Sequence, residues 1–324
     1  MILPPFTLHR PGSLDQAIDI ARSCAGDFDY LGGGTDLLPN YKNRLNPRRN
    51  VIALWRIPEL SAIGEDRFGA MARLSDLESQ PGARRRHPAL MEAIEQVASP
   101  LVRRQATLGG NLLVETRCYY FNQSLDWRAS KGYCMKADGD VCLVVPQKEV
   151  CYAVYSGDTA AVLMALDATF TLHGFEGARG VKARDFFQPD GIRKNVLRKG
   201  DILTAITLPG EASRTRAGYL KLRLRDSFDF PDAGVAAAVR CDGDVIEDLQ
   251  VAVSAVSMTP VMFPEVTGPM RGERLTQERI RGVAEAVAAR TQPVRNVMFP
   301  PQYRRKMVGL FTRRLLERLA RSAD

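Results

Sequence analysis

Apolar positions along this chain recur with two periods, and the switches between them mark its elements. After an extended, proline-bearing start, Ser13 caps a helix that carries Leu14, Ala17, Ile18 and Ala21 on one face. A strand follows and runs into Tyr30-Leu31-Gly32-Gly33-Gly34-Thr35-Asp36-Leu37-Leu38-Pro39: an apolar strand end, a triple glycine and a polar pair before another apolar step. Residues 48–54 read as a second strand and 89–97 as a helix. Ala106-Thr107-Leu108-Gly109-Gly110-Asn111-Leu112-Leu113 sets another glycine-centred turn between apolar flanks. From 115 to 152 the periodicity gives way to a polar, aromatic stretch, which predicts a long loop. Such loops inside compact domains are functional or disordered, and a bound metal supplies order that apolar burial does not.

Regular patterns resume at 156–167, a capped apolar helix. Residues 169–172 and 201–208 read as strands, with a short helical turn at 185–187 between them, and 209–216 reads as a linker. Strands at 219–225, 235–241 and 249–256 then predict a meander, and helices at 277–289 and 303–323 complete a smaller α+β domain. There is no internal repeat and no low-complexity tract.

The 324 residues allow two or three domains with a sizeable core. No window approaches the roughly 20 apolar residues of a membrane span, and the start carries no long apolar run, so the sequence predicts a cytoplasmic protein with no membrane association. The net charge of +8 is moderate, and the basic runs at 84–86, 304–306 and 313–314 lack interleaved aromatics; they read as solvated faces, without a nucleic-acid partner. Arg117, Arg128, Lys131, Lys136 and Lys148 all fall in the aperiodic stretch, where a basic field would steer an acidic protein partner such as an electron carrier. Three histidines without metal-ligand spacing give no support to a histidine-based catalytic metal.

Candidate chemistry concentrates in cysteine and glycine. Cys118, Cys134, Cys142 and Cys151 crowd into the aperiodic stretch with spacing C-x15-C-x7-C-x8-C, while Cys24 and Cys241 lie far off and read as core or turn thiols. Six cysteines without a secretion signal argue for reduced thiols. Four thiolates select an iron–sulfur cluster, zinc or copper(I), yet this spacing has neither zinc-ribbon knuckles nor a ferredoxin run, so unpaired structural cysteines stand beside the metal reading. The glycine turns let backbone amides approach a phosphate, or serve only as turns. Neither is a dinucleotide fingerprint or a Walker loop.

In order and spacing, L-G-G-G-T-D-L near Gly32, T-L-G-G-N at Thr107 and G-D-T-A-A-V-L-M-A-L-D-A from Gly157, with Y-R-R at Tyr303, resemble the FAD-binding medium subunits of molybdenum hydroxylases. That group includes the flavoprotein subunits of carbon monoxide and xanthine dehydrogenases. The resemblance implies an α+β fold: a two-part FAD-binding domain of the vanillyl-alcohol-oxidase/PCMH type over 1–211, with 115–152 inserted, then an α+β C-terminal domain over 212–324. It implies FAD contacts from Leu31, Gly32, Gly33, Gly34, Thr35, Asp36, Leu37 and Leu38, with Thr35 and Asp36 fixing the turn, and from Thr107, Gly110 and Asn111. Asp158 matches a flavin or adenosine contact, or else is a helix cap. Lys221 matches a cation near the flavin pyrimidine, or else is a solvent-facing strand residue.

Most members of that family join the second glycine turn to the following helix by a shorter connection. The enlarged pattern here, T-R-C-Y-Y-F-N-Q-S, G-Y-C-M-K, G-D-V-C and V-C-Y-A, is similar to that of the β subunits of 4-hydroxybenzoyl-CoA reductases, where four cysteines hold an additional 4Fe-4S cluster. The resemblance then implies an oxidoreductase subunit with no catalytic residue of its own. Reduced ferredoxin would feed a cluster on Cys118, Cys134, Cys142 and Cys151 and then FAD. Electrons would pass on to a 2Fe-2S small subunit and a molybdopterin-binding large subunit, in a dimer of heterotrimers that converts 4-hydroxybenzoyl-CoA to benzoyl-CoA. The alternatives are a flavin subunit that exchanges electrons with NAD while the quartet holds structural zinc, and an FAD-binding scaffold whose loop docks a protein.

Overall fold

Three sheets organise the chain in the computed structural model, which describes residues 2–321. The first consists of β1 (Thr7–His9), β2 (Phe28–Leu31) and β3 (Asn50–Ala53), parallel throughout and ordered β1-β3-β2. Parallel neighbours need crossovers, and the helices Leu14–Ser23 and Leu37–Lys42 provide them. Ser13 Oγ accepts the Gln16 amide at 3.2 Å, and the helix it caps buries Ala17, Ile18 and Ala21 against Ile52 and Leu54.

The second sheet runs β4-β7-β5-β6, all antiparallel, from β4 (Arg67–Gly69), β5 (Thr169–Gly174), β6 (Gly177–Lys182) and β7 (Ile202–Thr207). In β5 the alternation sends Phe170 and Leu172 into the core, where they meet the apolar helices Pro88–Glu95 and Thr159–Ala165.

The third sheet is the antiparallel array β11-β10-β9-β8, with β8 (Arg216–Leu222), β9 (Ala233–Asp242), β10 (Val245–Ser254) and β11 (Val261–Met262). Along β9, Ala233, Val235, Ala237 and Val239 pack into one core with the helices Gln277–Arg290 and Pro301–Arg321, while Ala236 and Ala238 join the core of the second sheet. Both faces are covered, which is why this strand reads as a continuous run of small and branched residues. Arg304 of the Y-R-R motif is wholly buried and donates to the carbonyls of Asp232, Val294 and Ala255; burial pulls its guanidinium down to about 10.

Several expectations change. The apolar step after the triple glycine is the helix Leu37–Lys42, and the turn centred on Gly109-Gly110 is the start of the helix Leu108–Leu112. The C-terminal helix spans Pro301–Arg321; positions 322 and 323, which the pattern also assigns to it, lie outside the described residues, as does Met1 of the extended start. Among the described residues no helix is long and apolar enough to cross a membrane.

Candidate functional site

A cleft of about 470 Å³ opens between the first sheet with its glycine turn and the segments around 61–73 and 105–107. Leu31, Gly32, Gly33, Gly34 and Leu38 line one wall, with Leu3, Phe6 and Leu8; Ser61, Met71, Arg73, Gln105 and Thr107 line the other, and Trp55 stands at its edge, half exposed. The two glycine turns therefore lie side by side. A Cβ on Gly33 would come within 1.7 Å of the Gln105 carbonyl oxygen, so only glycine permits this approach, and Gly34 takes a left-handed φ of 75°. Thr107 Oγ1 accepts the Gly110 amide at 3.1 Å and so caps the helix Leu108–Leu112. Trp55, Arg73 and Gln105 carry no signal in the sequence, because none belongs to a glycine or cysteine motif and only the fold brings each to the cleft.

The other expected contacts are distributed more widely. Thr35 is exposed and Leu37 half-buried. Asp36 does not cap its own helix: its carboxylate accepts the Glu115 amide at 3.0 Å and pairs with Arg117, so it ties the first glycine turn to the start of the long loop. Gly110 is exposed outside the cleft wall. Asn111 Oδ1 accepts from both the amide and the hydroxyl of Thr159, at 3.1 and 2.8 Å, leaving its Nδ2 to reach elsewhere. Asp158, at the N-cap of Thr159–Ala165, makes no side-chain cap bond. It lies instead 2.9 Å from Lys221 Nζ and accepts from Tyr219 Oη at 3.0 Å, all three side chains being buried. Burial raises the Asp158 carboxyl, and Lys221 and the Tyr219 hydroxyl act against that rise. Lys221 also donates to the Gln96 carbonyl at 2.8 Å, which rules out a solvent-facing role.

The four clustered cysteines converge. Residues 117 and 154 pair as an antiparallel bridge that closes the base of the loop, with amide bonds of 2.8 and 2.7 Å, and so bring the Cys118 and Cys151 ends together. Inside it, the Cys134 carbonyl accepts the amides of Ala137 and Gly139, and Met135 N donates to the Val141 carbonyl at 2.9 Å, which folds Cys142 back toward Cys134. All four side chains line one small apolar cavity with Tyr120, Phe121, Met135, Lys136, Leu143, Val144 and Ala153. Each is buried and each is a free thiol. Burial pushes the Cys118 thiol up to about 12, with the neighbouring Cys151 and Cys134 adding to the rise and backbone amides at Tyr120 and Phe121 opposing it. Cys151 is pushed up to about 11 by burial, opposed by the Ala153 amide, which points at its sulfur from 3.4 Å, and by Lys136.

A soft donor set in a dry cavity, with amides already aimed at sulfur, fits a cation that would hold the thiols as thiolates. A single zinc ion needs its sulfurs about 2.3 Å away. Among the described residues no group of three or more Cys, His, Asp or Glu side chains is set to hold one metal ion.

The basic field expected on the loop is largely internal. Arg128 is buried and donates to the Asn43 and Arg44 carbonyls at 3.0 Å, pinning the loop to the end of the helix Leu37–Lys42. Lys136 is buried against Glu115, and Arg117 pairs with Asp36 beneath the Phe230 ring. Between 115 and 152 the exposed charges are Lys131 and Lys148 against Asp126, Asp138, Asp140 and Glu149, two against four. The loop therefore lacks the cationic surface that would steer an acidic carrier.

Residues 4–211 match the model of the FAD binding domain in molybdopterin dehydrogenase, and 218–319 match the CO dehydrogenase flavoprotein C-terminal domain. The chain is 28% identical over 320 residues to the carbon monoxide dehydrogenase medium chain of Hydrogenophaga pseudoflava, covering 98% of this chain and 97% of that one. It is 32% identical over 269 residues to the FAD-binding subunit of an Escherichia coli aldehyde oxidoreductase, covering 79% and 82%. A solved carbon monoxide dehydrogenase from Hydrogenophaga pseudoflava superposes with a TM-score of 0.81 at 26% identity, over 100% of this chain and 99% of its own.

Proposed function

Because the chain belongs to the FAD-binding subunits of the molybdopterin dehydrogenase family, we propose that it is the FAD- and 4Fe-4S-bearing electron-input subunit of a 4-hydroxybenzoyl-CoA reductase type of enzyme. The observation that carries this reading is the convergence of Cys118, Cys134, Cys142 and Cys151 on one buried apolar cavity, inside a loop anchored to the glycine turn of the flavin cleft. The glycine turns, with Arg73 and Trp55, would hold the dinucleotide; the four thiolates would hold the cluster. Bound there, the two groups supply one-electron redox chemistry at low potential.

What the chain itself contributes is positioning. Gly33 and Gln105 bring the two cleft walls together, Asp158 and Lys221 form a buried charge pair tied to Tyr219 and the Gln96 carbonyl, and the loop excludes water from the sulfurs. No acid, base or nucleophile is assigned here; substrate chemistry belongs to a molybdopterin-binding large subunit, reached through a 2Fe-2S small subunit, in a cytoplasmic assembly. Similarity to medium chains of carbon monoxide dehydrogenases supports that division of labour. Reduced ferredoxin remains the proposed donor by its potential; the exposed charge of the loop does not add electrostatic steering.

Anaerobic purification with iron, sulfide, zinc and flavin assayed on one sample, then EPR after dithionite, tests the reading. About four irons and four sulfides per FAD with a reduced-cluster signal support it. Zinc with FAD, or FAD alone, favours a flavin subunit that exchanges electrons with NAD and carries a structural metal.

A further inference from the structure

A buried lysine stands in the wall of the cysteine cavity. Lys136 Nζ lies 2.7 Å from Glu115 Oε1 and 2.6 Å from the Gly191 carbonyl, donates to Thr116 Oγ1, and sits 4.7 Å from the Phe121 ring centre. Glu115 is shared with Lys194 at 3.3 Å, and its amide is held by Asp36. Burying a lysine is costly unless its charge is used or paired. Here one carboxylate serves two lysines, and of the two it is Lys136 that lines the cavity.

Building on the iron–sulfur reading above, we infer that Lys136 is a positioning residue that sets the reduction potential of the centre held by Cys118, Cys134, Cys142 and Cys151. Four thiolates and an iron–sulfur core are net anionic, and adding one electron makes the site more negative by one charge. A fixed ammonium in a low-dielectric wall favours the reduced form more than the oxidised one. Glu115 clamps that ammonium in place, and through Asp36 the clamp is continuous with the glycine turn of the flavin cleft.

The test is an EPR-monitored redox titration of the anaerobically purified full chain, with iron and flavin assayed on each sample. Lys136→Met, with iron and FAD retained, is expected to lower the reduced-to-oxidised ratio at a given poise at least tenfold, which is about 59 mV for one electron. Lys136→Arg, which keeps the cation, is expected to stay near wild type. An iron-loaded Lys136→Met with unchanged potential overturns the inference. If Lys136→Met loses its iron, Glu115→Gln decides: keeping the ammonium and removing its anion is expected to raise the potential, and an unchanged value overturns the inference. A wild-type chain without iron overturns instead the cluster reading on which it rests.

Discussion

The charge pair of Asp158 and Lys221 shows how far a single residue's surroundings decide its role. Both side chains are out of water, 2.9 Å apart, and tied to Tyr219 and the Gln96 carbonyl. Removing one partner leaves the other charged and buried, which costs about 3–5 kcal/mol. Lys221→Met is therefore expected to lower stability by about that much in urea unfolding, and the double variant Asp158→Leu with Lys221→Met to recover most of the loss; a loss below about 1 kcal/mol would fit an exposed pair instead. Gly33 is constrained by distance alone. Gly33→Ala drives a methyl into the Gln105 carbonyl and forces the cleft walls apart, with an expected cost of about 1–3 kcal/mol and a fall in bound FAD, read by flavin absorbance after gel filtration. Gly82→Ala meets nothing within 4 Å and serves as the control expected to retain both.

At the scale of elements, the long loop depends on polar anchors at its base. Burial lifts the Glu115 carboxyl, but Lys194, Lys136 and the Thr116 amide overcome that and hold it well below the usual carboxylate range. A depressed folded-state pKa contributes stability above the unfolded value, near 4.3, and loses it as pH falls toward the folded one. Wild type is thus expected to protect the loop from proteolysis better than Glu115→Gln at pH 7, with the advantage shrinking below about pH 4.5 in amide hydrogen exchange; an advantage unchanged at pH 2 would point to packing rather than charge. The helices at Ser13 and near Ala89 were legible because one period ran through each, and the β8–β10 meander because its strands are rich in small and branched apolar residues. The strand β4 has three residues, β11 two, and β6 alternates only between half-buried and exposed positions, so none carries an apolar signal. Within the site, the cysteines and glycines announced themselves by residue type. The inward turn of Arg128 and Lys136 did not, since a basic side chain in a polar stretch reads as solvated until partners 84 or 55 residues away are known.

Across the whole molecule, the C-terminal sheet behaves as part of the flavin domain's core. Tyr219, Ala236, Ala238 and Ala252 pack in the same cluster as Leu90, Ala160 and Leu163, while the opposite face of the sheet packs on its own helices. Backbone and side-chain ties repeat the connection: Tyr219 N donates to Glu92 at 2.9 Å, Tyr155 exchanges bonds with Ser257 and Ala255, and Asn296 donates to the Tyr152 carbonyl where the cysteine loop ends. A large apolar interface of this kind couples two domains, whereas small polar ones let them unfold apart. The full chain is expected to give one calorimetric transition, and a fragment of residues 1–211 to expose the helices Pro88–Glu95 and Thr159–Ala165 and aggregate. Two separate transitions, or a monomeric fragment with native flavin content, would show instead that the flavin domain closes its own core. In that case the C-terminal sheet would be a docked module, and the burial of Asp158 beside Tyr219 and Lys221 would depend on docking alone.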